Sequence, residues 1–495
     1  MLVPAPTNEM SSEPCFHDPV ALWNPTAQHI HDLQICNRDM QQMRGYLPVS
    51  LTWFTWGTTL DSHIIFITGP PPYVLQEAGP HRRRGPVGKT SPGSHPNQVS
   101  NPTGLLIALC LGQQGIPTLV LEAYHELYPT TCAIAYMPTI NSVISSLGLI
   151  PSVSEHAFLN HQGITWQGLD GSKIANLPFV GQDGEFGGVH QIGQARMNAL
   201  ILENIKECSS VKVKLGLKCV RIDDDLMKDS IRVMCHTAKP PDDDVFIKGA
   251  YIIGTDGANS AMRRLCCIPF EGYTFDEFNM IGADVLFDFE KEMKYAPMNF
   301  FVDPEEWGVI AYTGEKGDRT EKDGEEKVPQ WRAAWVEPPN LPAEKMQCLE
   351  RATNRISKFM KGRKDFRIVR AESYWIHQRC AAQGRKGRVL LVGDALHSNN
   401  PIGGLGLTGG ILDSLVHGNA LTRVLKGGEN RIRCSQNARR VSARHGSTRL
   451  RNLSWEILSG WESLEKRRRR SETSFSAALT KIPSFLNWCG GTWIQ

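Results

Sequence analysis

Short, unbroken apolar runs, the texture of strands buried on both faces of a parallel sheet, recur along this chain and end on acids. In RVLLVGDALHSNNPIGGLGLTGG (residues 388–410), the apolar run over 389–392 predicts a strand. Gly393 and Asp394 follow at its carboxyl end, then Pro401, a turn with Gly403, Gly404 and Gly406, and a helix from about Leu407. YIIGTDGANSAMRR (251–264) repeats the theme, with a strand delivering Asp256 into a turn at Gly257. In GLLIALCLGQQGIPTLVLEA (104–123), helical spacing of leucines stops at Gly115, and a second strand then ends on Glu122. Such acids, beside glycine turns and helix starts, suit polyol hydroxyls and anions or polarised carbonyls.

Between these segments the patterning changes. VKVKLGLKCVRID and SIRVMCHT alternate apolar and polar residues and predict half-exposed antiparallel strands. Residues 135–149, 190–205 and 346–360 carry helical spacing, and 151–189 are polar, glycine-rich and strand-like. Residues 315–330 predict a charged, solvated loop. Aromatic residues concentrate over 265–384, where most must be core and the remainder suit a flat apolar substrate. Residues 1–78 show no sustained period. HIIFITG (63–69) has the composition of a strand but runs straight into PPP, so the whole stretch reads as an irregular extension of low order. Residues 426–495 read as an irregular basic tail, its Arg467–Arg470 run included.

At 495 residues, two joined domains are expected. A charged fraction of 21% and a net charge of +3 give no argument for a nucleic-acid partner. The 13 cysteines have no metal-ligand spacing and imply no disulfide framework. Asp242, Asp243 and Asp244 read as a solvated hairpin tip, so no metal is expected. The start lacks a basic region followed by an apolar run, and the longest apolar stretch is interrupted by Gln113, Gln114 and Pro117. A soluble, cytoplasmic protein without a membrane segment is the expectation.

The DG and GD segments, in that order, resemble the flavin-dependent aromatic hydroxylases of the single-component, NAD(P)H-using class, the p-hydroxybenzoate and phenol hydroxylase type. The resemblance runs from about residue 104 to 428. It implies an α/β fold: a Rossmann-like FAD/NAD(P)-binding domain (79–150, 190–264 and 385–425) interleaved with an α+β substrate domain (151–189 and 265–384). It implies FAD as cofactor, NADPH or NADH as reductant, O₂ and a small aromatic molecule as substrates, and a homodimer as the oligomer to test. Gly393 and Asp394 would hold the ribityl chain and pyrophosphate, and Pro401 would lie against the ring edge. Gly403 and Gly404 would shape the turn, and N–H groups around Gly406 and Leu407 would polarise the pyrimidine carbonyl. Thr408 stands where many relatives carry Asn, with its backbone donor retained. Asp256 and Gly257 would lie near FAD and the nicotinamide, Glu122 on the adenosine ribose, and Gln194 and Arg196 against the flavin or its ribityl chain. His397 reads as a helix-entry residue. The implied reaction inserts one oxygen atom into an electron-rich molecule through a flavin hydroperoxide, which requires no protein nucleophile. A flavin oxidase, epoxidase or halogenase, and a catalytically dead chain, are the alternatives.

The dead alternative has a specific source. The family's first strand and dinucleotide fingerprint should fall near GPHRRRGPVG (79–88), where Gly85 and Gly88 survive. Arg82–Arg84 cannot form a buried parallel strand. Residues 89–103 then separate Gly88 from the helix expected to face the pyrophosphate. Codons for Gly88–Lys89, Ser100–Asn101 and Thr103–Gly104 admit a splice donor, branch point and acceptor, and excision restores GPVGLLIALCLGQQGI in frame. Residues 79–84, read one nucleotide later, admit VLIVG. The chain as written thus reads as carrying a retained intron and a frame error.

Overall fold

The computed structural model describes residues 64–68, 102–125, 133–179, 188–224, 230–237, 244–275, 279–303, 306–318, 327–399, 401 and 404–426. Gly85, Gly88, Gly403, the Arg82–Arg84 run, Asp242, Asp243 and the 427–495 tail lie outside them.

A six-stranded sheet runs in the order Arg385–Lys386, Val389–Leu391, Tyr251–Gly254, Ile64–Thr68, Thr118–Glu122, Val211–Leu215. All neighbours are parallel except the two-residue edge strand Arg385–Lys386. Alternate residues of each strand supply opposite layers. Val120, Ile253 and Leu390 join the core beneath helices Pro102–Gln113, Gln194–Lys206 and Leu405–Lys426. Leu121, Ile252 and Leu391 pack instead with Ile231, Val233 and Cys235 of an antiparallel sheet. That three-stranded sheet comprises Leu217–Asp224, Ile231–Thr237 and Asp244–Gly249.

Several expectations are corrected. The central strand is Ile64–Thr68, inside the stretch read as an irregular extension, and it pairs with both Tyr251–Gly254 and Thr118–Glu122. IIFIT has the unbroken apolar texture a central parallel strand needs, which the arginine run at 82–84 lacks. Val211–Leu215 is a parallel edge strand, not antiparallel; Gly216, at φ +74°, separates it from the antiparallel Leu217–Asp224. Alternation marks half-exposure, and a parallel edge strand is half-exposed too. Residues 135–149 hold a two-residue strand and a 3-10 turn before helix Asn141–Ser146, because Pro138 opens the turn. The stretch over 151–189 begins inside helix Ile150–His156 before its strands.

The second large sheet has seven strands: Arg367–Tyr374, Asn279–Leu286, Lys327–Glu337, Gly308–Asp318, Met298–Phe301, Ile164–Gln167 and Lys173–Leu177. The expected loop over 315–330 is therefore strand at both ends, with 319–326 outside the described residues. One face buries Phe289, Phe301, Trp331 and Trp335 against Ile356 and Phe359 of helix Leu349–Phe359. Among the described residues no helix is long and apolar enough to cross a membrane.

The Glu337 carboxylate fastens that helix to the sheet. It accepts from Trp335 Nε1 (3.0 Å), Arg351 Nη2 (2.6 Å) and Arg355 Nε (3.0 Å), and its side chain is 0% exposed. Burial pushes its pKa up, but the Arg351 and Arg355 hydrogen bonds outweigh burial and hold it down at about 2. A depressed folded pKa stabilises above the ordinary glutamate value, and the contribution fades as pH falls towards about 2. We expect Arg355→Met to lower stability by about 2 kcal/mol at neutral pH, read by denaturant unfolding. The deficit should shrink as the pH drops from about 4.5 towards 2.

Candidate active site

Register sets the site. Thr68 is level with Glu122, Ile67 with Gly254, and Gly254 with Leu391. The carboxyl ends of neighbouring strands thus share one edge, with strands about 4.8 Å apart. Asp256 and Asp394 follow adjacent strands, and Glu122 ends a strand two places from that of Asp256. The sequence-predicted acids therefore gather along one edge of the sheet.

They are not equivalent. Both Asp256 oxygens serve its own turn: Oδ1 accepts from Ser260 Oγ (2.5 Å), and Oδ2 from Ala261 N (2.6 Å) and Met262 N (3.1 Å). Ser260 Oγ in turn caps helix Ala261–Leu265 through Arg263 N. Burial raises the Asp256 pKa against these hydrogen bonds. Gly257, at φ +77°, takes a left-handed turn that an L side chain would strain. Glu122 is 1% exposed and accepts from the Tyr124 N–H.

Asp394 differs. Its carboxylate is half-buried and makes no hydrogen bond among the described residues. Burial raises its pKa, His397 opposes that shift, and Asp413 adds to it. The turn around it is held from both sides by one carboxylate. Asp413 Oδ2 receives His397 Nε2 at 2.8 Å and faces the Gly393 N–H at a longer 3.4 Å. Gly393, at φ +62°, packs against Thr103, and Ser414 Oγ donates to the Thr103 carbonyl. The first turn of helix Pro102–Gln113 is thus seated beside the GD turn, with Pro102 at a helix start where the absent N–H has no partner to lose.

The sequence reading did not single out Arg263, which joins the two aspartate turns. Its guanidinium lies 3.6 Å from the Phe270 ring centroid, donates through Nη1 to the Ala395 carbonyl (2.9 Å) and through Nη2 to the Ala258 carbonyl (2.5 Å). Burial lowers its pKa to about 10, against the pull of Asp256. The signal available was its place on the short helix after the DG turn.

Past the GD turn, Pro401 is exposed, Gly404 takes φ +64°, and helix Leu405–Lys426 begins. A Cβ on Gly406 would meet only open space, so close approach within the protein does not explain that glycine. Leu407 is half-buried in the first turn. Gln194, 8% exposed, opens helix Gln194–Lys206, and Arg196 beside it is exposed. We expect Asp256→Ala to orphan the Ser260, Ala261 and Met262 donors and cost about 2–3 kcal/mol. Faster amide exchange over 260–265 than in the wild-type chain would mark the loss.

The FAD binding domain family matches residues 100–445. Para-nitrophenol 4-monooxygenase of Pseudomonas sp. (strain WBC-3) is 30% identical over 332 residues, 66% of this chain and 77% of that protein. 6-hydroxy-3-succinoylpyridine 3-monooxygenase HspB of Pseudomonas putida (strain DSM 28022 / S16) is 29% identical over 332 residues, 66% of this chain and 79% of its own. The crystal structure of p-nitrophenol 4-monooxygenase PnpA from Pseudomonas putida DLL-E4 shares the fold. Its TM-score is 0.67 at 23% identity, covering 88% of this chain and 99% of that one. The matched residues take in both aspartate turns and the sheet edge they share, and the chain belongs to the family of FAD-binding aromatic monooxygenases.

Proposed function

We propose that the shared sheet edge is the FAD cradle of a nicotinamide-dependent monooxygenase acting on a small aromatic molecule, with Asp394 as its anchor. The observation that carries the assignment is the Asp394 carboxylate, half-buried, held by its turn and making no hydrogen bond to the described protein. A charge in that setting gains most from hydroxyl donors, which a ribityl chain offers. FAD, when bound, supplies hydride acceptance from NADPH or NADH and the activation of O₂. The protein's part is to bind, orient and exclude water.

Gly393 lets the turn pass close to Thr103, and Gly406 and Leu407 would offer the first N–H groups of their helix to the pyrimidine carbonyl. Pro401 and Gly404 shape the approach, with Gly403 between them in sequence. Glu122 would meet the adenosine ribose, and Gln194 and Arg196 the flavin or its ribityl chain. Asp256 and Gly257 would act near FAD through the shape of their turn, since the Asp256 oxygens are already engaged. We assign Ile64–Thr68 to the cofactor domain along with 102–150, 190–264 and 385–425, and 151–189 with 265–384 to the substrate domain. The separate core under the seven-stranded sheet supports the division for 279–371, whereas Val153, Cys266, Ile268 and Ala381 pack into the cofactor-side cores at the boundary. The free thiols among the described residues support a cytoplasmic location, and sedimentation tests the homodimer.

A second reading, a chain that folds but holds FAD poorly, draws on one observation. Residues 69–101 connect the central strand to helix Pro102–Gln113, whereas such connections usually take about 2–6 residues. The phosphate-binding turn belongs there. Flavin absorbance of the purified protein decides both points. Asp394→Ala should weaken FAD binding about tenfold or more; an unchanged flavin content removes Asp394 as the anchor. A chain lacking 89–103 should retain more flavin than the full chain, and a full chain already saturated with FAD rejects the second reading.

A further inference from the structure

Helix Gln194–Lys206 starts without an acid of its own. Its N-cap is Gly193, which has no side chain to cap with, and its first turn holds no acidic residue. A capping box would place Glu or Gln at the third helical position, reaching back to the N-cap N–H. This chain has Arg196 there, a cation at the positive end of the helix, where that sign of charge is unfavourable.

The acid comes instead from the seven-stranded sheet. The Gly193 N–H bonds to Glu315, a half-buried residue on which the charge of Arg196 also acts. A break in the ladder aims it. Strand Gly308–Asp318 pairs Tyr312 with Trp331 and then Lys316 with Pro329, so Thr313, Gly314 and Glu315 lie opposite the single residue Gln330. Surplus residues of this kind bend a strand and redirect its side chains. Buried Thr313 braces the bulge, its Oγ1 donating to the Gln330 carbonyl (2.8 Å) and accepting from the Glu315 N–H (3.2 Å).

The same bulge grips the entry to the helix a second time. Gly314 takes φ +81°, and a Cβ there would meet the Gln191 carbonyl oxygen at 2.2 Å, so only glycine lets the two backbones approach. Gln191 in turn sends Nε2 to the Tyr312 carbonyl (2.6 Å) and, at 3.3 Å, to that of Pro297. Other charges bear on Glu315 without displacing it. Asp284 repels it but is paired with Arg332 (2.8 Å) and Arg370 (2.7 Å), and Arg370 attracts it.

We propose that Glu315 is a positioning residue for the cofactor site: it caps helix Gln194–Lys206 from the facing sheet and so fixes where Gln194 and Arg196 stand. A cap supplied from outside leaves the third helical position free for an arginine, which the cofactor edge uses and a self-capped helix would exclude. The proposal rests on the monooxygenase reading above, in which Gln194 and Arg196 meet the flavin or its ribityl chain.

Amide exchange of the flavin-free full chain, and FAD affinity read by quenching of flavin fluorescence, test it. We expect Glu315→Met to speed exchange over 193–197 and to weaken FAD about tenfold. Glu315→Gln keeps a carbonyl acceptor for Gly193, and exposed Arg196 is served by water, so it should restore both readings to within about threefold. Arg196→Met should also weaken FAD, and adding Glu315→Met to it should cost little more, because both changes act through one helix start. Arg355→Met, which loosens the sheet elsewhere, should leave FAD affinity unchanged. Should Glu315→Met not fold, Glu315→Asp, one methylene short of Gly193, takes its place with the same expected losses. Wild-type exchange over 193–197 in Glu315→Met, a Gln variant as impaired as Met, or fully additive losses with Arg196→Met overturn the proposal. A wild-type chain that binds no FAD strikes instead at the monooxygenase reading, and exchange in the flavin-free chain still decides whether Glu315 holds the helix start.

Discussion

The Arg263 guanidinium is buried between two turns that follow neighbouring strands, and its bonds to the Ala258 and Ala395 carbonyls keep those turns level. Stacking on Phe270 fixes the plane of the fork and adds apolar cover. Parallel register brings the two strand ends to one height, but register stops where the strands stop. Beyond that point the guanidinium on one side and Asp413 on the other determine where Asp394 stands. Asp413 reaches from the long helix to both flanks of the GD turn, so the turn, the helix and the strand behave as one unit. The acid that carries the functional assignment is thus positioned by hydrogen bonds from beyond its own strand.

Much of this was legible in the sequence because it depends on local pattern. The apolar runs ending at Glu122, Asp256 and Asp394 became parallel strands whose ends line up. The division of labour among the acids was not legible. Asp256 and Asp394 sit in similar strings of residues, yet the first is consumed by Ser260 and two amides while the second makes no hydrogen bond within the described protein. Only three-dimensional accounting of donors separates them. The central strand was missed because PPP after HIIFITG suggested irregular chain, although proline penalises only the residues beyond the strand. Glu315 was hidden in a run of charges that predicts solvent exposure, whereas strand pairing carries its part of that run into the sheet. Arg332 and Arg370 were invisible for the opposite reason: alternation shows which residues share a face, but not that two strands far apart in sequence set them around one carboxylate.

The chain path also joins the seven-stranded sheet to the GD turn. Strand Arg367–Tyr374 carries Arg370, paired with Asp284, and a few residues later the same chain pairs with the GD turn. The link from that strand to the GD turn thus runs through the backbone to Arg379 and Cys380 and then through ladder pairing with Ser398 and His397. On the reverse face, Glu337 and its arginines resist tilting of the sheet against helix Leu349–Phe359.

The tether over 69–101 has an uneven consequence. Closing a loop becomes harder only logarithmically with its length, by about 0.6 kcal/mol per doubling, so extending a short turn to this span subtracts roughly 2 kcal/mol from folding. A nucleotide's diphosphate, by contrast, needs successive amides at fixed spacing beside a helix start. The length of this one connection therefore weighs far less on folding than on capture of a nucleotide.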